Sequence, residues 1–204
     1  MTGGRRVALM ALKNAPAIAF AVVLVVFALL SDRFLTVANF TNIVTQASHV
    51  AIMAIGMTFV LLTAGIDLSV GAVMYVCVAV LALLFGDLPV LVAFPLVALL
   101  GLALGAVNGF FVVQLRGLHP FIITLATLFI LRGIALWMTD TRMVFVAEPI
   151  MSLGRTSYLG VPWAIWMFAG VFLSAWIVLR QTPFGRQIYA VGQDPAAAAK
   201  AGID

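Results

Sequence analysis

Asp67 and Ser69 stand two residues apart in the segment Thr63-Ala64-Gly65-Ile66-Asp67-Leu68-Ser69-Val70-Gly71, which interrupts two long apolar stretches. An acid and a hydroxyl just before an apolar run either cap the helix that follows, accepting hydrogen bonds from its free N–H groups, or meet a polar solute. Capping is the preferred reading, with Ser69 the nearer candidate. Asn39, Asn42, Gln46 and His49 recur at steps of three and four, so a helix carries them as one polar stripe. That stripe is open between two roles, hydrogen bonding to a neighbouring helix and lining a hydrophilic path, and it continues through Met53, Gly56 and Met57 as a mixed, small and flexible surface. Gly101, Gly105 and Gly109 recur every four residues and let another backbone come close, which makes their face an expected helix contact. Asn108 lies beside them, and a hydrogen bond across that contact is preferred over an encounter with solute. Asn42, Gln46, His49, Asp67, Ser69 and Asn108 are thus the candidate substrate-path residues. Arg132, about 13 residues into an apolar stretch and able to snorkel outward, is expected to form a structural ion pair or to reach lipid headgroups.

Other chemistry finds no support. There is no Gly-x-x-x-x-Gly-Lys-Ser/Thr phosphate loop, no Gly-x-Gly-x-x-Gly fingerprint, and the lysines are Lys13 and Lys200 alone. His49 and His119 lack the close His, Cys or carboxylate spacing of a metal site, so no metal is expected. Cys77 stands alone in an apolar stretch and reads as a small hydrophobe. No nucleophile has a base and an orienting acid at readable spacing, so the chain is expected to be no enzyme and to bind no cofactor itself.

The elements that position these residues follow from composition. The chain is 65% hydrophobic and 9% charged with mean hydropathy +1.22, against about 25% charged residues in a soluble domain. Uncharged runs cover 14–31, 34–66, 68–86, 88–115 and 156–179, and a sixth apolar run, 119–139, contains Arg132. Roughly 20 apolar residues cross about 30 Å of hydrocarbon. The expected fold is therefore an all-α, polytopic membrane bundle, one domain over residues 1–204, with six spans near 15–31, 40–64, 69–86, 88–113, 119–139 and 161–179. Arg5, Arg6 and Lys13 ahead of the first run resemble a signal peptide, but Leu29-Leu30-Ser31-Asp32 offers no clear cleavage site, so a retained helix is expected.

An N-terminus in the cytoplasm leaves Arg5, Arg6, Lys13, Arg116, Arg180, Arg186 and Lys200 inside, and Arg33, Arg142 and Arg155 outside. This is the distribution that the positive-inside rule favours. The net charge of +4 is then explained by topology and membrane lipid, and no nucleic-acid partner is expected. After the last span, residues 180–204 form a cytoplasmic segment in which Asp194 as N-cap, Pro195 at the first helical position and Gly202 past the end spell a short helix. So short a helix needs something to pack on.

In this order, Thr63 to Gly71, Asn108-Gly109, Pro120 to Thr127 with Arg132-Gly133, and Thr182 to Gly192 followed by Ala196 to Gly202 resemble the permease subunits of bacterial ABC importers for ribose, xylose and related sugars. The resemblance runs over nearly the whole chain. It implies a multi-pass protein of the bacterial inner membrane, paired with a second permease subunit as a homodimer. Its other partners would be separate cytoplasmic ATPase subunits that use ATP and Mg, and a periplasmic sugar-binding protein. It assigns ATPase coupling to Gly185, Arg186, Tyr189, Gly192, Ala196, Ala197, Ala198, Ala199 and Gly202. Permeases of this kind continue with further helices, so the chain is expected to be a truncated product or to need a second polypeptide. The alternatives are a secondary carrier, for which Asp67 alone is thin support, a permease for nucleosides or branched-chain amino acids, and a membrane scaffold or enzyme without transport.

Overall fold

The computed structural model describes residues 12–115 and 117–203. Arg5, Arg6 and Arg116, used in the orientation argument, and Asp204 lie outside the described residues. Two units are distinguished, residues 1–47 and 48–204.

In the first unit, helix α1 (Ala15–Leu30) begins with Pro16 in its first turn and ends where Ser31 turns extended. It buries none of its residues. Phe27 stacks on Phe34 with ring centroids 5.7 Å apart, across the link to α2 (Val37–Leu62). Thr36 caps α2: its Oγ1 accepts from Asn39 N at 3.3 Å and donates to Arg33 O at 2.7 Å.

The second unit takes the rest of α2, then α3 (Val70–Leu83), α4 (Val90–Gln114) and α5 (Pro120–Met138). Its core is the seam of α3 and α5, where Ala72 and Val76 meet Leu131 and Ala135, flanked by Tyr75, Leu104 and Leu128. Fully buried alanines at 79, 93 and 135 bring the helix axes close, as lipid-embedded packing favours. Beyond α5 come α6 (Glu148–Arg155), the strands β1 (Ser157–Tyr158) and β2 (Val161–Pro162), α7 (Trp163–Gln181), α8 (Pro183–Gln193) and α9 (Pro195–Lys200). The antiparallel strands pair Ser157 with Pro162 and Tyr158 with Val161. Their two-residue turn puts Leu159 at φ 54° and Gly160 at φ 76°, the left-handed pair of a type I′ hairpin. Trp166 Nε1 on α7 donates to Tyr158 O at 3.2 Å and ties the hairpin down.

The expected helical membrane bundle is present, and α2, α4, α5 and α7 are each long and apolar enough to cross a membrane. The other two expected spans are shorter than their apolar runs, with 16 residues in α1 and 14 in α3. At about 1.5 Å per residue α3 rises roughly 21 Å. The run 68–86 is cut at its start by the non-helical segment 63–69 and at its end by the turn that leads to Pro89, so apolar length overstates helix length there.

Candidate functional site

Helix α2 ends by turning left-handed. Ala64 N donates to Leu61 O and Gly65 N to Val60 O, both at 3.0 Å, with Ala64 at φ 57°. This is a Schellman ending with alanine at the position glycine usually takes. A Cβ on Gly65 would lie 3.2 Å from both Val60 O and Val60 Cγ1, so the chain passes tightly over the last turn of α2. From there Asp67 reaches forward: its Oδ1 accepts from Ser69 N at 2.7 Å and from Ser69 Oγ at 2.6 Å. This local turn corrects the expected cap. Ser69 holds the N-cap position of α3 but makes no capping hydrogen bond: its backbone is already helical, with φ −79° and ψ −14°, where a capping residue is extended, and its Oγ donates to Asp67 and accepts from Asn108.

The network continues across helices. Asn108 Nδ2 on α4 donates to Ser69 Oγ at 3.2 Å, and Thr127 Oγ1 on α5 donates to Asn108 Oδ1 at 2.8 Å. Thr124 Oγ1 donates to Ile66 O at 3.2 Å, pinning the segment 63–69 to α5. Ser69, Thr124 and Asn108 are 1%, 2% and 5% exposed, a depth at which a missing partner would be costly. Among the described residues no buried side-chain nitrogen or oxygen lacks one. Asp67, Ser69 and Asn108 are therefore brought together, and Asn108 bonds across a helix contact as its position suggested. Thr124 and Thr127 were missed, since a threonine on an apolar helix satisfies itself on its own backbone as readily as it bonds a neighbour.

Beside the network lies a cleft of about 200 Å³ whose wall includes Thr63, Gly65, Asp67, Gly105, Asn108 and Thr124. The glycine face of α4 accordingly divides. A Cβ on Gly101 would sit 3.6 Å from Cys77 Sγ on α3, the expected close contact, whereas Gly105 and Gly109 have nothing within 4 Å and open onto the cleft. A carboxylate, an amide and hydroxyls around a small cleft can exchange hydrogen bonds with a polar solute. Among the described residues no three His, Cys, Asp or Glu side chains converge.

Asn42, Gln46 and His49 do not join this network. Gln46 Nε2 donates to Asn42 Oδ1 at 3.2 Å along α2, and all three side chains are exposed. His49 precedes Leu62 by about 20 Å of helix rise. His119 has a local role that was not foreseen: as N-cap of α5 its Nδ1 accepts from Phe121 N at 3.3 Å, and Pro120 follows at the first helical position. The expected ion pair of Arg132 is not formed among the described residues.

The tail folds as two helices in place of the expected one. Thr182 caps α8, its Oγ1 accepting from Gly185 N at 3.2 Å, and Pro183 opens the helix. Asp194 caps α9 as its position indicated, Oδ1 accepting from Ala196 N at 2.9 Å and Ala197 N at 3.0 Å. Gly202, at φ 79°, ends that helix. Two expected coupling glycines face inward. A Cβ on Gly185 would collide with the carbonyl oxygens of Val178 and Leu179, and one on Gly192 with the carbonyl oxygen of Leu62. Ile188 and Ala198 are buried, whereas Arg186, Tyr189, Ala196, Ala197 and Ala199 face outward. Helix α8 thereby rests against the end of α2, where the segment carrying Asp67 and Ser69 begins.

Residues 39–204 match the family described as branched-chain amino acid transport system / permease component. The chain is 39% identical over 193 residues to the ribose import permease of Haemophilus influenzae, covering 92% of this chain and 59% of that one. It is 40% identical over 193 residues to the ribose import permease of Escherichia coli K12, covering 92% and 60%, and 39% identical over 188 residues to the D-allose transport system permease of the same strain, covering 90% and 57%. The chain thus spans less than two thirds of the length of these relatives. No solved structure matches it. With the family matched from within the polar stripe of α2 to the end of the tail, the chain belongs to the branched-chain amino acid transport system / permease component family.

Proposed function

We propose that the chain is the membrane-spanning permease subunit of an ATP-driven importer for a monosaccharide, working with an ATPase made as a separate polypeptide. The observation that carries this reading is the 39–40% identity to ribose and D-allose permeases over at least 90% of the chain. In this reading all six apolar helices lie in the inner membrane, α1 and α3 crossing with help from flanking segments, and the N-terminus is cytoplasmic. The solute path then includes Asp67, Ser69 and Asn108, with Asn42, Gln46 and His49 lining its outer approach. The permease pairs with a second copy, receives sugar from a periplasmic binding protein, and binds no cofactor itself; ATP and Mg belong to the ATPase. Coupling runs through α8 and α9, whose outward residues Arg186, Tyr189, Ala196, Ala197 and Ala199 meet the ATPase while Gly185, Gly192, Ala198 and Gly202 shape the segment that presents them.

The mechanism follows from the placement of Gly192. A push on α8 is delivered to the end of α2 and so to the segment 63–69, whose bonds to Asn108 and Thr124 hold α4 and α5 in register. Closing the ATPase pair would thereby reshape the polar cleft. The test is uptake of labelled D-ribose by vesicles holding the chain with its cognate ATPase and binding protein. ATP-dependent uptake is expected. Uptake that persists without the ATPase and follows a proton or sodium gradient would make the chain a secondary carrier.

A further inference from the structure

Arg132 follows Pro120 by about 18 Å of helix rise, inside α5, a helix of 19 residues. Its guanidinium is a cation, and a charge at this depth faces protein or water, because hydrocarbon gives it no partner. Among the described residues it forms no ion pair. Reaching the nearer end of α5, about 9 Å away at Met138, runs against the geometry of the helix, in which side chains leave the backbone tilted toward the N-terminus. The arginine is directed back toward Leu128 and the deeper turns. There a cavity of about 300 Å³ is lined by Gly71, Ala72 and Tyr75 of α3 with Leu128 and Arg132 of α5. That volume is at the lower end of small-molecule sites, with room for several waters at about 30 Å³ each. Tyr75 is not a loose wall, since its hydroxyl lies 3.2 Å from Thr139 Oγ1 and fixes the ring. Gly71 leaves one side bare, with nothing within 4 Å of where a Cβ would stand.

We propose that this cavity is a hydrated station that contacts the transported solute, a neutral polyhydroxylated molecule, with Arg132 donating to adjacent hydroxyl oxygens and the ring of Tyr75 lying against its C–H face. The proposal rests on the permease reading. A guanidinium with no carboxylate beside it offers donors in a planar fork that suits a pair of neighbouring hydroxyl oxygens. A neutral partner is released more readily than an anion held by full charge, and release is what passage requires.

The test is thiol labelling in membranes holding the full chain. In a Cys77→Ser background, Gly71→Cys is exposed from either side to a small, charged, membrane-impermeant thiosulfonate, and Leu128→Cys serves as a second position should the first fail to insert. Reaction is expected, slowed about tenfold by D-ribose at roughly ten times its half-saturating concentration and unaffected by sodium phosphate; Arg132→Gln removes the protection while leaving the cysteine reactive. No reaction at either position from either side would place this face against lipid or protein and end the proposal. Protection by phosphate but not by D-ribose would also overturn it, making the cavity an anion site. The labelling needs no transport, so ATP-driven uptake with inert cysteines would sink this proposal and leave the permease reading standing, whereas a reactive, ribose-protected cavity in a chain that imports nothing would sink the permease reading and leave a sugar-binding cavity that is no station on a transport path.

Discussion

Ala64 adopts φ 57°, and an L-residue in that conformation pays for its Cβ where glycine would not. Ala64→Gly is expected to stabilise the chain by up to about 1 kcal/mol, the cost of the left-handed conformation less the extra freedom of glycine in the unfolded chain. A lower thermal midpoint for the purified variant in detergent would contradict this. Asn108→Ala removes both the bond to Ser69 and the one from Thr127. Interhelical hydrogen bonds in membranes average about 0.6 kcal/mol each and reach about 1.7, so a loss of about 1–3 kcal/mol is expected, read as denaturant sensitivity of the same preparation. Asn108 was legible from sequence because an amide on an apolar helix must find a partner. Which partner was not, since spacing along one helix does not say which residues of another arrive at the same depth. The cap expected of Ser69 failed for a local reason: its backbone is already helical at φ −79° and ψ −14°, which turns the hydroxyl to Asp67 and Asn108 and away from the free N–H groups of α3.

At the scale of elements, hydropathy located six apolar helices within a few residues, but it overstated α3, where backbone turns and not polarity end the helix. Glu148–Arg155 and the hairpin after it were not read because their apolar content is too low to register among membrane runs, although Gly160 marked the turn. Helix α8 was not read, although Thr182-Pro183 carries the same signal, a cap and a first-turn proline, that made α9 legible from Asp194-Pro195. Asp194→Ala should cost about 1 kcal/mol of α9 stability. Amide exchange at Ala196 and Ala197 would then rise about fivefold, a change that must be absent at Ile188 if the effect is confined to α9. Gly192→Ala acts differently, because the methyl group would collide with the carbonyl oxygen of Leu62. Helix α8 should lift from α2, so exchange and proteolysis between residues 183 and 193 should increase while membrane insertion is retained; an unchanged cleavage pattern would show that α8 does not depend on this contact.

For the whole molecule, the proposed importer requires that force enter through a surface distinct from the one that holds the tail together, and the four alanines of α9 separate the two. Ala198 is 5% exposed and packs inward, whereas Ala196, Ala197 and Ala199 face outward on the same short helix. A charge on the inward position disturbs the tail itself, by burying an unpaired carboxylate. The same charge on the outward position leaves the fold intact and changes only what a partner meets. Ala197→Glu is therefore expected to keep exchange protection in α8 and normal membrane insertion yet lose co-purification with the ATPase, while Ala198→Glu loses both protection and association. Retention of the ATPase by Ala197→Glu at wild-type yield would remove α9 from the docking surface and leave Arg186 and Tyr189 on α8 to carry it. Loss of protection in both variants would mean instead that α9 is a structural prop for α8, and the coupling reading would then rest on α8 alone.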